Sequence, residues 1–481
     1  MKPIKRRDAL AGMGALTGAA LFWGCAVNPV TGKREFMLMS EREEVEMGVE
    51  AHGQIVSEYG SLNDDSLQSW FDDRGQEMSV VTHRKHLAYT FTVLDSPVVN
   101  AFAVPGGYVY VTRGIMGYFN NESQFAGVLG HELGHVNARH TASRFSKSKV
   151  ASIGLALGSI ISDEFAQYSQ LVSLGASMLF LRFSRDDERE ADKLSIDYAS
   201  AVGYDTVEIS LFFKTLERLH PGGGSLPAWQ STHPDPGDRV AATRKMSLEY
   251  QKKHADMEFV VKRNEYLERI DGLVYGDDPR QGYVKNAMFY HPVMMFQFPV
   301  PEGWQVANQP SEVKMSKKDE NALLMFTSAP GATPNDASTA FADGNKITVE
   351  STVEITVNGM TGIQTTGVMG SGENSAGIVS NYIQMDTSVY AFHGLSAPAE
   401  LSKYTSIFDK SVNGFDRISD VTLTNVSPKK YSVRKTDSAL TVQALFNRFG
   451  VPEEEIERLA IINGVELSDT LPAGTLMKVI A

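Results

Sequence analysis

The sequence contains a single cysteine, Cys25, among its 481 residues. One thiol cannot form a disulfide within the chain, so a scaffold held together by disulfides is excluded. Basic residues are also outnumbered, with 45 Lys and Arg against 58 Asp and Glu, and they form no cluster beyond the extreme N-terminus. The formal net charge of −13 argues against nucleic acid as a partner.

Long apolar runs are scarce, and the first, from Ala9 to Trp23, has 15 uncharged residues where a membrane-spanning helix needs roughly 20. Basic residues precede this run and Gly24-Cys25 ends it, which is the pattern of a signal peptide covering residues 1–24. A cysteine directly after a small residue, at the end of an apolar run, resembles a bacterial lipobox. This resemblance implies that Cys25 is lipidated and that residues 25–40 form a linker. Arg6-Arg7 fits a twin-arginine or an ordinary Sec export signal, and both stay open.

The remaining composition is that of a globular protein, with 42% hydrophobic and 21% charged residues. At about 100 to 200 residues per domain, the chain should fold as two to four units. The pattern predicts an α+β protein: a mainly helical domain over residues 41–275 with a small antiparallel sheet, a β-rich domain over 283–420, and a small βααβ module over 428–481. Two apolar helices are expected within the first domain, at Val150 to Ile161 and Phe165 to Phe183.

Three short β-rich runs precede the central part of the first domain: Tyr89 to Leu94, Asn100 to Val104 and Tyr108 to Thr112. Pro105-Gly106-Gly107, between the last two runs, is a turn-forming tripeptide. Together the runs predict an antiparallel meander. A helix is expected to begin at Asn121, because an Asn three residues before a Gln is typical of a helix N-terminus.

That helix carries an H-E-x-x-H motif from His131 to His135. Residues four apart lie on one helix face, so both imidazoles can bind one Zn²⁺ while Glu132 activates water. Glu188 and Asp192 are also four apart on a second predicted helix, so that one could bind the metal and the other could hold a ligating histidine. Exposed histidines and a solvated acidic helix face are the structural alternatives.

Several motifs together resemble the gluzincin metallopeptidases of family 48, which include the HtpX, prenyl-protein protease and Oma-type enzymes. The resemblance covers about residues 25–275, and the N-terminal segment looks like the periplasmic lipoprotein branch of that family. It implies one Zn²⁺ per chain. The motifs that carry the resemblance are His131 to His135, Glu188 with Ala191-Asp192, Asn100 to Ala103 with the following Pro-Gly-Gly, and His233-Pro234 with Arg239.

The resemblance also implies a role for each motif residue. The expected zinc ligands are His131, His135 and Glu188, and the expected base is Glu132. His233 would either stabilise the oxyanion or occupy the fourth zinc position as a latch, and a solvent-exposed loop histidine is the structural alternative. The remaining expected residues are Asp192 and Arg239, which support the ligands, and Asn100, Ala101, Phe102 and Ala103, which pair with an extended substrate or form an ordinary core strand.

The tail from Tyr431 to Ile480 resembles a LysM-like module, which makes peptidoglycan a candidate partner. It departs from the LysM pattern at Thr436 to Ser438, where the usual Gly-Asp-Thr is missing.

We therefore expect a zinc metalloendopeptidase that hydrolyses unfolded or misassembled envelope proteins as part of envelope quality control. It would face the periplasm as a lipoprotein, and Ala26 after the cysteine implies sorting to the outer membrane. Two alternatives stay open: a metal-stabilised envelope adaptor or chaperone with latent peptidase activity, and a zinc peptidoglycan hydrolase.

Overall fold

The computed structural model describes residues 25–155, 182–219, 228–234, 238–317, 320–370 and 375–480. The predicted signal segment, the second half of the predicted helix Val150 to Ile161 and nearly all of the predicted helix Phe165 to Phe183 lie outside these residues. Within them, no helix is long and apolar enough to cross a membrane.

The first half of the chain is mainly helical, as predicted. Several of its helices begin at polar residues that satisfy the first backbone N–H groups: Ser40 and Glu43 form a complete capping box, and Asn121 Oδ1 accepts from the Gln124 N–H at 2.8 Å. The helices are α1 (Glu41–Tyr59), α2 (Asp65–Ser79), α3 (Arg113–Met116), α4 (Glu122–Asn137), α5 (His140–Leu155), α6 (Arg185–Ala201), α7 (Val207–Leu219), α8 (Ala228–Thr232), α9 (Arg239–Lys253) and α10 (Arg263–Arg269).

The small sheet beside these helices is mixed, so the prediction of an antiparallel sheet is wrong in part. After a short N-terminal hairpin of β1 (Cys25–Val27) and β2 (Arg34–Phe36), the sheet contains β3 (Thr90–Leu94), β4 (Ala101–Val104) and β5 (Tyr108–Thr112), in the order β3-β5-β4. Strands β4 and β5 form the expected antiparallel hairpin, but β3 pairs with β5 in parallel.

The β3–β4 connection explains this difference. Its last residue, Asn100, accepts a hydrogen bond from the Thr112 backbone N–H at 3.0 Å, at the end of β5. The loop therefore crosses the end of β5, and β4 pairs on the far side. A hairpin turn can be predicted from Pro-Gly-Gly, whereas a loop that crosses a strand end leaves no such signature.

Glycines let α4 lie unusually close to α6 and α7. A Cβ atom added at Gly130 would lie 3.0 Å from the Ser195 carbonyl oxygen, and one at Gly134 would lie 3.1 Å from Ala191 Cα. On the same side of α4, a Cβ at Gly127 would lie 2.9 Å from the Ile209 side chain. This spacing of three and four residues forms one helix face, and it brings the histidines of α4 up to the acidic residues of α6.

The second half of the chain contains a β-rich region, as predicted. Its elements are β6 (Tyr283–Lys285), β7 (Met288–His291), β8 (Phe296–Pro299), β9 (Gln305–Asn308), β10 (Glu312–Ser316), β11 (Ala322–Ala329), α11 (Pro334–Gly344), β12 (Ile347–Val357), β13 (Met360–Met369), β14 (Ala376–Met385), β15 (Ser388–Ser396), α12 (Leu401–Asn413) and β16 (Asp416–Arg417). The strands form a seven-stranded sheet in the order β12-β13-β14-β15-β11-β10-β9 and a four-stranded sheet in the order β16-β8-β7-β6.

The end of the chain has the predicted strand–helix–helix–strand order, and its first and last strands pair in antiparallel fashion. Its apolar side chains, among them Phe446 and Met477, belong to the same core as Phe125 of α4. The relation to LysM modules stays a prediction. The elements are β17 (Tyr431–Lys435), β18 (Leu440–Thr441), α13 (Val442–Arg448), α14 (Glu453–Ile462), β19 (Thr470–Leu471) and β20 (Leu476–Ile480).

Candidate metal centre

The two histidines of the H-E-x-x-H motif converge on one point, as their helical spacing predicts. His131 Nε2 and His135 Nε2 lie 3.0 Å apart, and both side chains are buried. Glu188 reaches the same point from α6: its Oε2 lies 3.5 Å from His131 Nε2, and its Oε1 lies 3.5 Å from His135 Nε2. The structure thus brings together all three side chains expected to be zinc ligands.

A fourth potential ligand comes from the segment after α8. His233 Nδ1 lies 3.2 Å from His131 Nε2 and 3.1 Å from Glu188 Oε1. Donor atoms of His131, His135, Glu188 and His233 all lie within 4.8 Å of one another. Trp229 stacks on the His233 ring with centroids 5.0 Å apart, so the imidazole is held by packing as well as by polar contacts.

These four residues fit a zinc ion. Imidazole nitrogens with one carboxylate are a donor set that zinc accepts in four-coordinate sites. Glu188 Oε2 is buried and has no hydrogen-bond partner among the described residues. A buried carboxylate oxygen without a partner is energetically costly, and a metal ion at this point would satisfy it.

Asp192 and Arg239 both lie next to His131, and their expected role in supporting the ligands stays a prediction. Asp192 Oδ1 accepts from His131 Nδ1 at 3.0 Å, which turns Nε2 of the same ring toward the other ligands. Arg239 Nη2 donates to the same Asp192 oxygen at 2.6 Å. The Arg239 guanidinium also lies over the Phe213 ring, 4.1 Å from its centroid, so this buried charge is both paired and packed.

His135 is supported by two residues that the sequence did not suggest. Its Nδ1 lies 2.9 Å from His140 Nδ1, and His140 Nε2 lies 3.2 Å from Glu190 Oε2. If Nε2 of His135 is to bind a metal, its Nδ1 carries the proton and donates to His140, which in turn donates to Glu190. The only feature of the sequence that could have indicated this contact is the position of His140, five residues after His135.

Glu132 lies beside this cluster, and its carboxylate faces Trp229 and His233. Its Oε1 accepts from Trp229 Nε1 at 3.3 Å and lies 3.6 Å from His233 Nε2. Phe183 covers the other side, with its ring stacked on His135 at a centroid distance of 4.0 Å. Trp229 and Phe183 were also absent from the predicted site, because aromatic residues far away in sequence carry no spacing signal.

Burial and neighbouring charges shift the pKa values of His131 and His135 in opposite directions. Burial lowers the pKa of His131, but its contacts with Asp192 and Glu188 outweigh burial and raise that pKa to about 9. Burial and the neighbouring His131 hold the pKa of His135 well below its usual value. Burial raises the pKa of Glu188, but His233 and His131 overcome it and keep that pKa well below its usual range. His135 and Glu188 are therefore already in the forms that bind a metal.

The predicted substrate strand lies at the edge of the small sheet and packs against α4. Ala101 faces the main core, whereas Phe102 stacks on Tyr110 in a second apolar cluster on the other face. Ala103 is half-buried against the main core. Asn100 Oδ1 is buried and has no hydrogen-bond partner among the described residues. The role of this strand in binding an extended peptide stays a prediction.

The fold and the buried histidine–carboxylate cluster define a metallopeptidase-type site, and comparisons with known proteins agree. Residues 65–247 match peptidase family M48, and this part of the chain is a domain of that family. The matched region contains every residue of the cluster described above.

Three curated relatives are similar to this part of the chain. The putative beta-barrel assembly-enhancing protease of Vibrio cholerae is 27% identical over 197 residues, 39% of this chain and 41% of that protein. Mitochondrial metalloendopeptidase OMA1 of Arabidopsis thaliana is 30% identical over 173 residues, 36% and 34% of the two chains. The beta-barrel assembly-enhancing protease of Escherichia coli is 27% identical over 227 residues, 45% and 46%. The chain spans less than half the length of each of these relatives.

Proposed function

We propose that the protein is a zinc metalloendopeptidase that cleaves unfolded or misassembled proteins of the bacterial envelope. The observation that carries this proposal is the convergence of His131, His135 and Glu188 on one buried point, with Glu132 beside it. The M48 domain and the names of the relatives, which include beta-barrel assembly-enhancing proteases, support the same activity.

His131, His135 and Glu188 would hold the zinc, which supplies Lewis acidity toward a peptide carbonyl and toward water. Glu132 would accept the proton of the attacking water and deliver it to the leaving nitrogen. Trp229, through its hydrogen bond to Glu132, would fix the carboxylate in position for both transfers. Asn100 to Ala103 would align the substrate as an added strand beside the helix that carries the motif.

His233 would act as a reversible latch. Its Nδ1 faces Glu188 and His131 at 3.1 and 3.2 Å, which supports a position among the ligands in this state. In that position it would exclude water until substrate displaces it. The other role, donation to the oxyanion from Nε2, requires the ring to leave this position.

The proposed cellular setting rests on the N-terminal sequence. Residues 1–24 would direct export, and a lipid on Cys25 would anchor the chain with its catalytic domain in the periplasm, at the outer membrane. Peptidoglycan binding by the tail would be a second means of localisation.

Cleavage of an unfolded protein tests the activity. We expect the purified chain to cleave casein or an unfolded porin, and Glu132→Gln to lose this activity by about 10²-fold or more, because an amide cannot accept the proton. Glu132→Gln should keep its zinc and its fold. Release of muropeptides from purified cell walls without cleavage of casein would instead support a peptidoglycan hydrolase. Full turnover by Glu132→Gln would contradict the assignment of the base.

A further inference from the structure

The two outer strands of the seven-stranded sheet differ in how far they are covered. At one edge, β9 is four residues long, and the Asn308 side chain at its end donates to the Gln281 carbonyl at 3.0 Å. At the other edge, β12 is 11 residues long and pairs with β13 alone. Within the described parts of the chain, no backbone or side chain pairs with its outer edge. A long open edge presents a row of free main-chain donors and acceptors.

The hairpin turn identifies which residues present those groups. Strands β12 and β13 are joined by Asn358 and Gly359, both with positive φ, in a two-residue turn flanked by the pair Val357 and Met360. In such hairpins the flanking pair exchanges hydrogen bonds, and every second pair after it does the same. The residues between them point their N–H and C=O groups outward, and these residues are Thr352, Glu354 and Thr356.

A β-bulge limits the usable edge to one segment. The register shifts between Val349 and Ser351, so Glu350 has no partner on β13. From Ser351 to Val357 the pairing is regular. Seven residues of continuous edge are enough for several main-chain hydrogen bonds to an added strand.

Side chains on this segment differ between its two faces. Val357 is buried in the core of the β-rich region and Ile355 packs against it, while Val353, next along the same face, is 49% exposed. Glu354 points to the opposite face and is exposed. An added strand would therefore find an apolar neighbour on one face and a negative charge on the other.

We propose that the outer edge of β12, from Ser351 to Val357, binds an extended segment of a substrate polypeptide by β-addition. The segment would be amphipathic, with apolar residues on the Val353 face and basic or uncharged polar residues on the Glu354 face. This inference rests on the proposed function, because an unfolded envelope protein supplies such segments: strands of outer-membrane barrels alternate between apolar and polar residues. The edge would hold the substrate at a second place, apart from the metal centre.

A second copy of the same chain fits this edge less well. Two antiparallel copies of β12 would bring Glu350 and Glu354 of one copy near the same residues of the other. Like charges on neighbouring strands are destabilising, and the whole chain carries a formal charge of −13. Charge complementarity thus favours a basic or neutral segment over self-pairing.

A proline substitution separates main-chain pairing from side-chain effects. Glu354→Pro removes one outward N–H and leaves the bonds to β13 intact, since proline is tolerated on edge strands. Glu354→Ala, the matched control, removes the same side chain and keeps the N–H. Both are made in Glu132→Gln protein, and binding of a fluorescent peptide of alternating valine and lysine, about 10 residues long, is followed by anisotropy. We expect Glu354→Pro to weaken binding about tenfold relative to Glu354→Ala.

Equal affinity of the proline and alanine variants would overturn the proposal, as would equal binding of a scrambled peptide without alternation. A wild-type dimer that Glu354→Pro dissociates in sedimentation would make a second copy the occupant and would also overturn it. Cleavage of a short unstructured peptide by the Glu132-containing Glu354→Pro chain, expected at the wild-type rate, tests the proposed peptidase separately. If the wild-type chain fails to cleave this peptide, the proposed function is contradicted. The binding measurement is independent of that result, because it uses Glu132→Gln protein, which needs no peptidase activity.

Discussion

At the scale of single residues, the metal centre gathers ionisable side chains that burial alone would make costly. His131, His135, Glu188, Asp192 and Arg239 are all buried. Buried charges persist in proteins when they are paired or bind metals. Arg239 Nη2 pairs with Asp192 at 2.6 Å and lies 3.5 Å from Glu188 Oε2, an oxygen that has no hydrogen-bond partner among the described residues. A dication bound beside Glu188 would balance its charge further.

His233→Ala distinguishes the two roles of this histidine. If His233 is a latch among the ligands, its removal opens a coordination position, and casein cleavage should rise or stay level while zinc content is unchanged. Steady-state cleavage and zinc content are measured on the same preparation. A fall in turnover of about 10²-fold with zinc retained would reject the latch and support donation to the oxyanion.

At the scale of elements, the position of α4 depends on its glycines. The helix can lie against α6 because Gly130 and Gly134 present no Cβ toward it, and Gly127 does the same toward α7. Glycine weakens a helix by roughly 0.5–1 kcal/mol relative to alanine, so close packing has to offset that loss. The packing distance in turn sets the separation of His131 and Glu188.

Gly130→Ala should destabilise the protein, because the new Cβ would meet the Ser195 backbone, which cannot move aside as a flexible side chain can. We expect a loss of about 1–3 kcal/mol in the free energy of unfolding, measured with urea. Gly53→Ala is the matched control: Gly53 lies within α1 and has open space at its Cβ position. That substitution should stabilise the protein by about 0.4–1 kcal/mol. Similar effects of the two changes would contradict the packing account.

Strand β20 attaches the end of the chain to the M48 domain through a buried lysine. Lys478 Nζ donates to the carbonyls of Gly117 and Phe119 at 2.9 Å, and to that of Ile462 at 3.1 Å. Burial lowers the pKa of Lys478 well below its usual value, so this group contributes through its hydrogen bonds in a site that disfavours its charge.

Lys478→Met should lower the free energy of unfolding by about 3 kcal/mol, because three buried carbonyls lose a donor. Lys435→Met, on the exposed part of β17, is the control and should change stability little. The two variants are compared by urea unfolding. If both unfold at the wild-type midpoint, the tail is not held by this contact.

At the scale of the whole molecule, the sequence predicts the chemistry better than the architecture. The convergence of His131, His135 and Glu188 on one point could be predicted from helical spacing and a family resemblance, and their role as zinc ligands stays a prediction. The mixed sheet could not be predicted, because the loop that ends at Asn100 has no turn signature. The contact of His140 with His135 could not be predicted from the sequence, because the other partner of His140, Glu190, lies on a different helix. Lys478 looks like an ordinary solvent-facing residue of a strand, since the surface that buries it belongs to a distant part of the chain.

Cys25→Ser should release the protein from membranes, since the structure describes no helix beyond this point that could span one. A thiol is the acceptor that lipidation of this kind requires, and a serine hydroxyl does not replace it. Membrane and soluble fractions are compared by immunoblot after a salt wash. Full retention of Cys25→Ser in the membrane fraction, with its signal segment removed, would contradict lipid anchoring.

The zinc content of matched glutamate variants tests the central claim most directly. Glu188→Ala removes a proposed ligand, and Glu132→Gln removes the proposed base from the same buried cluster. Mass spectrometry of the metal in purified, folded protein should find about one zinc per chain in wild type and in Glu132→Gln. Glu188→Ala should retain much less zinc, and a competition titration should give an affinity weaker by about 10- to 100-fold or more. Stoichiometric zinc in Glu188→Ala, or a wild-type chain that binds none, would contradict the account.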